Sequence, residues 1–492
     1  MHSTTLDFAG GHAMPVSEGI SRRNLLLMVH VAWTVGLIAV GLIYRLFQVE
    51  ADILVYPACV ILALSFGWIL AGWFSLRGTL FEPYALFMIA AGLFNGGQAV
   101  LELFGLNPNG ILDGRFPPEV LIESLFFVTL SALAVHTGAL LAVREKPADR
   151  SGAGENAPFR ERATRMVGWF LLAISAVPVS LFLKNSVSVV LDYGYMALFQ
   201  REDSYSLTWA LSGFFVPGLI FLLAGSKSSR PVRGFCLAIA ALYTAVNLFL
   251  GSRGAAMMSA VAVAWIYDRI GRRIPRGLIV GLSVAGLIAF SLVRETRGTD
   301  GRWRLSLDQE FETLANLQNP VSTAVSEMGY SLVTVAHTLT LVPEVRSYDL
   351  GVSYLYGASA IIPNLGWEVH PGVAHGLLCD WLTRTVEPTV AATGGGLGFS
   401  FIAEAYLNFG WAGGLVWLAI VGYLCVRLFL QADTLDPARQ ALVASFLSFF
   451  FVFARGESAI VVRGLVWYAL VPYLLAAVLA ASTRRVGVNP CN

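Results

Sequence analysis

The sequence predicts an all-α polytopic membrane protein, and three observations carry that prediction. Hydrophobic residues make up 56% of its 492 positions and charged residues only 13%, a balance outside the range of soluble globular chains. Apolar windows long enough to cross a bilayer recur from end to end. Basic residues collect in the connections on one side, as the positive-inside rule requires. The net charge of +1 says nothing about partners, because charge is segregated along the chain, and nucleic acid is not expected.

In order, the chain opens with a polar segment to Gly19 that lacks the basic start and cleavage site of a signal peptide, so residues 25–47 are expected to be an uncleaved first span. Further spans are expected at 53–74, 81–104, 120–143, 166–183, 207–224, 234–250, 255–268 and 277–293. A loop over 294–410 follows, and then spans at 411–430, 441–454 and 459–481, about twelve in all. The expected division is a bundle of nine spans over 1–293, an extracytoplasmic loop with amphipathic helices over 294–410, and three closing spans over 411–492. Most of the 33 lysines and arginines then fall in short cytoplasmic connections, which places both termini in the cytoplasm. The five cysteines show no CxxC spacing, so neither a disulfide framework nor a metal site is suggested, and no cofactor is expected.

The arginines left over are the informative ones. Arg201, Arg253, Arg294, Arg297, Arg302, Arg304, Arg346, Arg384, Arg455 and Arg463 all fall outside or near the outer surface. The segment 234–268 is too short for two full spans and a turn, so the turn Gly251-Ser252-Arg253-Gly254 should sit below that surface. The eleventh span is short as well, which sinks Arg455 and Glu457 of ARGES. Charge at such depth marks functional positions and usually faces a wet cavity. The bland alternative is an Arg–Glu pair at an interfacial turn.

The loop ends in GLGFSFIAEAYLNFG, where Ser400, Glu404 and Asn408 form one polar stripe at helical spacing and Gly410 is a plausible end cap. Gly394-Gly395-Gly396 ahead of it permits a tight turn or a close approach of backbone to a ligand. Glu404 is either a site carboxylate or the partner of an outer arginine.

Three blocks together resemble the polytopic O-antigen and capsule repeat-unit polymerases of the Wzy type: the GSRG turn at 251–254, the outer loop with IIPN at 361–364, and GLGFSFIAEAYLNFGWAGG at 396–414. The likeness covers roughly 240–470, while the first four spans carry nothing diagnostic. Arg384 followed by Gly395 fits that family's loose RX10G pattern; Arg201, with its glycine at Gly213, is one residue out of step. The resemblance implies a metal-independent glycosyltransferase of the GT-C-like membrane kind in the bacterial cytoplasmic membrane. Its donor and acceptor would be undecaprenyl-diphosphate-linked oligosaccharides, with membrane lipid around it and a chain-length regulator as protein partner.

Such a reaction needs cations for the leaving diphosphate and a base for the acceptor hydroxyl. Guanidinium groups suit the first, because they stay ionised and bind phosphate oxygens bidentately. Arg253, Arg294, Arg297, Arg384 and Arg455 are the diphosphate-binding candidates. Glu404, then Glu327, are the carboxylate candidates, with His337, His370 and His375 behind them. An O-antigen ligase would share the donor and the arginine chemistry. A twelve-span transporter is suggested by YDRIGRR at 267–273, which reads better as positive-inside punctuation, since no matching signature stands between spans two and three. A flippase would need charged residues lining central spans, and spans one to five contain almost none.

Overall fold

The computed structural model describes residues 21–47, 49–143, 157–198, 207–295, 319–362 and 367–487. Among the described residues there is no strand; the regular structure is helical. The first helices are α1 (Arg22–Phe47), α2 (Ala51–Arg77), α3 (Pro83–Leu103), α4 (Pro118–Ala142) and α5 (Ala157–Tyr193). Next come α6 (Leu207–Ser212), α7 (Phe215–Ala224), α8 (Arg230–Phe249), α9 (Arg253–Arg269) and α10 (Arg276–Glu295). Short helices α11 (Pro320–Gly329), α12 (Leu332–Leu341), α13 (Val352–Ser359), α14 (Pro371–His375), α15 (Leu378–Val386) and α16 (Pro388–Ala392) form the roof. The chain closes with α17 (Phe401–Phe429), α18 (Pro437–Phe450), α19 (Ser458–Gly464) and α20 (Val471–Gly487).

Among the described residues ten helical stretches are long and apolar enough to cross a membrane. The other two expected spans coincide with shorter helices, α9 at 17 residues and the apolar start of α10 over Arg276–Gly286. Boundaries differ where hydropathy and helix length part company. α5 runs for 37 residues although its apolar stretch is about half that. Its charged ends, with Arg160, Glu161 and Arg165 at one and Lys184 and Asp192 at the other, continue the helix past the hydrocarbon, where hydropathy has nothing to report. The span expected at 207–224 is two helices, broken at Gly213, where the Tyr468 ring leaves no room for a side chain.

α4 is the centre of the bundle. Leu125, Phe127, Val128, Leu133, Ala139 and Leu140 bury completely, and so do Ser124 and Ser131. α17 crosses it at backbone contact: Gly138 faces the Ala419 carbonyl and Gly422 faces the Val135 carbonyl, so neither site can hold a Cβ. Small residues at a crossing let two membrane helices gain dispersion contact without a hydrophobic driving force between them.

The two buried histidines of the first four spans are paired. Trp68 Nε1 donates to His30 Nδ1 (3.2 Å), which leaves the His30 proton on Nε2, facing the Leu133 carbonyl at 3.0 Å. Tyr84 Oη and His136 Nδ1 are 2.8 Å apart.

At one end of the bundle, here called the base, Arg77 binds both oxygens of Asp433 (2.9 and 2.6 Å) and Arg269 binds Asp433 Oδ1 at 2.7 Å. Glu82 stands 3.6 Å from Arg77 and 3.7 Å from Arg269. Arg269 belongs to the YDRIGRR segment, so that segment does more than punctuate. It ties the end of α9 to the α2–α3 and α17–α18 connections.

Candidate active site

At the opposite end, the mouth, the polar stripe of α17 turns inward. Ser400 is the N-cap, its hydroxyl accepting from the Ile402 amide at 3.2 Å. Glu404 and Asn408 follow at four-residue spacing, both buried. Gly410 then takes φ +64° and ψ −160°, a conformation closed to other residues, which separates the roof turns of α17 from its membrane part.

Glu404 is held by serines from two other elements. Ser353 of α13 and Ser458 of α19 donate their hydroxyls to Oε1 at 3.1 and 2.7 Å, and the Ser458 amide donates to Oε2 at 2.7 Å. Asn408 Nδ2 donates to Ser353 Oγ at 2.7 Å. Among the described ion pairs none joins Glu404 to an arginine, so the structural role expected for it as an arginine partner is taken instead by hydroxyl and amide donors.

The turn Ala454-Arg455-Gly456-Glu457-Ser458 is where the elements meet. Asn95 of α3 donates to the Ala454 carbonyl (2.9 Å) and accepts from Ser400 Oγ (2.7 Å). The Arg455 guanidinium lies 5.5 Å from the Phe94 ring centroid. Gly398 lies beside it, where a Cβ would make an ordinary contact 3.7 Å from Arg455 Nη2. The Glu457 carboxylate accepts the Leu378 and Cys379 amides at 2.8 and 3.1 Å, satisfying the first donors of α15. Burial pushes the Glu457 carboxyl above the usual range, and those two amides oppose the shift. α15 carries Arg384, which is exposed, and Thr383 beside it accepts the Leu397 amide at 3.1 Å. One short turn thus positions Arg455, α15 with Arg384, and Glu404.

The second cluster joins the GSRG turn to the roof. Arg253, the first residue of α9, binds Glu327 of α11 bidentately, with Nη1 to Oε2 at 3.2 Å and Nη2 to Oε1 closer still. Their side chains are 13% and 27% exposed, so the pair is neither buried nor fully in water. α11 is anchored to α3: Gln98 Nε2 donates to the Ser326 carbonyl at 2.9 Å, and a Cβ on Gly97 would lie 2.9 Å from the Val325 carbonyl. Gln98 is one helical turn from Phe94, so α3 runs from the Arg455 cluster to the Arg253 cluster. From Arg269 in the base network to Arg253 the helix rises only about 24 Å, at ~1.5 Å per residue. That is less than the ~30 Å of a bilayer core, in keeping with a sunken turn.

The other candidates either lie outside the described residues or have partners of their own. Arg297, Arg201, Arg302, Arg304 and positions 363–364 of IIPN lie outside the described residues, as does the side chain of Arg294 at the end of α10. His370 caps α14, accepting the Gly372 amide at 3.1 Å, and His375 stacks on Tyr356 at 4.0 Å. His337 packs on Phe116 at 4.8 Å, and burial lowers the pKa of its imidazole. Arg346 is bound by Asp349 (3.1 and 2.7 Å) and Arg115 by Glu387 (3.0 Å). Sequence reasoning did not single out Asn95, Gln98, Ser353 or Ser458. Asn95 and Gln98 were detectable as two amides three residues apart in an apolar span. The serines gave no signal.

Among the described residues no group of three or more His, Cys, Asp or Glu is arranged to hold a metal ion. A family model described as O-antigen polysaccharide polymerase Wzy matches residues 29–484, nearly the whole chain. No curated protein and no solved structure matches it.

Proposed function

The chain belongs to the O-antigen polysaccharide polymerase Wzy family, multi-pass membrane glycosyltransferases that join lipid-linked repeat units, and we propose that it does so on undecaprenyl diphosphate at the outer leaflet of the bacterial cytoplasmic membrane. The growing chain leaves its lipid diphosphate and is transferred to the terminal sugar of an incoming lipid-linked unit. The anomeric carbon–oxygen bond to the diphosphate breaks and a new glycosidic bond forms. The departing diphosphate takes up the charge, and the acceptor hydroxyl gives up a proton.

One observation carries the residue assignment: a candidate cation and a candidate base, Arg253 and Glu327, meet as a bidentate pair at the mouth. A guanidinium that grips a carboxylate presents the same fork that grips a diphosphate. In this reading, donor binding takes Arg253 over and frees Glu327 for the acceptor proton. Arg455 from the neighbouring turn and the exposed Arg384 of α15 add positive charge, and Arg294 and Arg297 remain candidates of the same kind. Glu404 is the alternative base and in either case holds the turn that carries Arg455. Guanidinium stabilisation makes the transfer metal-independent. A chain-length regulator would act on the completed enzyme from outside this site.

A deletion strain complemented at equal membrane levels tests the assignment. Arg253→Ala and Glu327→Gln are expected to leave lipopolysaccharide with single repeat units. Long-chain polymer from both variants would overturn it. Arg253→Lys keeps the charge but not the fork, and is expected to lose at least about tenfold in polymer yield, since a charge-assisted hydrogen bond is worth ~1.5–3 kcal/mol. Loss of polymer length with core attachment intact distinguishes a polymerase from a ligase.

A further inference from the structure

We propose that α13 lies inside the outer part of the bilayer, with Val352, Leu355 and Ile362 in contact with lipid hydrocarbon and Leu350, next to the Arg346–Asp349 pair, at its outer edge. The roof is therefore partly a membrane-inserted element, not a wholly aqueous one. The proposal is independent of the reaction assigned above.

Two membrane helices act as depth gauges. Tyr354 of α13 packs on Trp417 of α17, ring centroids 4.9 Å apart. From Trp417 down to Asp433 in the base network the helical path is about 24 Å, at ~1.5 Å per residue. Four linked charges are not stable within hydrocarbon, so that network marks the membrane boundary or lies beyond it. A core ~30 Å thick then reaches past Trp417, and any tilt of α17 only brings Trp417 deeper. The second gauge is separate. Trp467 Nε1 donates to the Ile361 carbonyl at 2.8 Å, just past the other end of α13. From Trp467, in the π-helical turn Leu465–Leu470 that runs into α20, to the basic sequence at 484–485 the rise is about 26 Å, at the same ~1.5 Å per residue, again short of the core thickness. Both ends of α13 are thus below the far boundary.

The side chains fit that depth. Leu355 is 71% exposed and Leu350 78%, and Val352 and Ile362 are exposed as well. In water these would be a costly apolar patch on a short helix. Leu350 also has φ +51°, an unfavourable conformation for leucine, and is pinned there by its amide on the Asn408 carbonyl (3.1 Å) and the Gly351 amide on Asn408 Oδ1 (2.8 Å). The backbone is held so as to present a leucine outward. On the protein-facing side Ser353 reaches Glu404, and Gly357 lies so close to α19 that a Cβ would stand 3.1 Å from the Ala459 amide. One side is polar and paired and the other apolar, as in an interfacial helix.

A nitroxide on Leu355→Cys, in full-length protein reconstituted into phosphatidylglycerol–phosphatidylethanolamine vesicles, tests this by power-saturation electron paramagnetic resonance. Val416→Cys, on the neighbouring lipid-facing turn of α17, is the hydrocarbon reference, and identically treated parent protein sets the background from native cysteines. Ile362→Cys repeats the reading should Leu355→Cys yield no folded protein. The expected result is collision with oxygen several-fold above collision with a water-soluble nickel chelate, matching Val416. Greater access to the chelate would place α13 in water. Protection from both reagents would mean that a second copy or another protein covers it. Either outcome overturns the proposal.

Discussion

Glu404 is a buried carboxylate held by three donors from α13 and α19. A carboxylate in an otherwise apolar helix is visible in the sequence, and its spacing with Ser400 and Asn408 fixes which face it occupies. Its partners are not visible, because Ser353 and Ser458 lie 51 and 54 residues away and serine is common everywhere. Glu404→Ala leaves three donors without an acceptor inside the protein, at about 1–3 kcal/mol for each buried group left unsatisfied. It is expected to reduce the amount of folded protein in membranes. Glu404→Gln keeps the shape and should be present at near-normal levels while polymer is shortened, which immunoblotting and a lipopolysaccharide gel together measure. His337 gives a prediction in pH. Burial depresses its folded-state pKa, so its contribution to stability is present above the unfolded value of about 6.5 and is lost as pH falls through the folded value. His337→Phe should therefore show a smaller fall in thermal midpoint on acidification from pH 7 to 5 than the parent protein.

At the scale of elements, helix type and order were legible because hydrophobic runs and basic punctuation are local properties. Lengths were less so. α5 extends past its apolar stretch, and 207–224 is broken by packing of Tyr468 against Gly213. The roof reads from sequence as ordered and polar, but nothing local distinguishes an exposed leucine in water from one in lipid. Close crossings were also hidden, since a glycine in a membrane helix looks the same whether or not another backbone lies against it. The α4–α17 crossing can be tested directly. Gly138→Ala and Gly422→Ala each place a methyl group on a carbonyl of the facing helix, and overpacking of that kind costs ~1–3 kcal/mol. Gly36→Ala and Gly67→Ala, where nothing lies within 4 Å, should leave the thermal midpoint in detergent unchanged or slightly raised. Equal behaviour of the two sets would show that the crossing is not close.

Across the whole molecule, an ion network closes the base, and Arg253 and Arg455 stand at the mouth. The base fixes α2, α3, α9, α17 and α18 relative to one another, and the same helices carry the mouth residues. Arg269 and Arg253 are the two ends of α9. α3 begins beside Glu82 and brings Phe94 to Arg455 and Gln98 to α11. α17 links Glu404 to Asp433 through the Gly410 break. Arg253 is thus held at the end of a long helix, and Arg455 on a short turn that α3 and α17 brace. The most direct measurement is the affinity of purified, detergent-solubilised protein for undecaprenyl diphosphate, compared with an Arg253→Ala/Arg455→Ala double variant and with undecaprenyl monophosphate. The parent protein should prefer the diphosphate. The double variant should bind it at least about a hundredfold more weakly, since each charge-assisted hydrogen bond that the two guanidinium groups supply is worth ~1.5–3 kcal/mol. Equal affinity in both proteins, with the variant correctly folded, would contradict a guanidinium-lined mouth for the pyrophosphate.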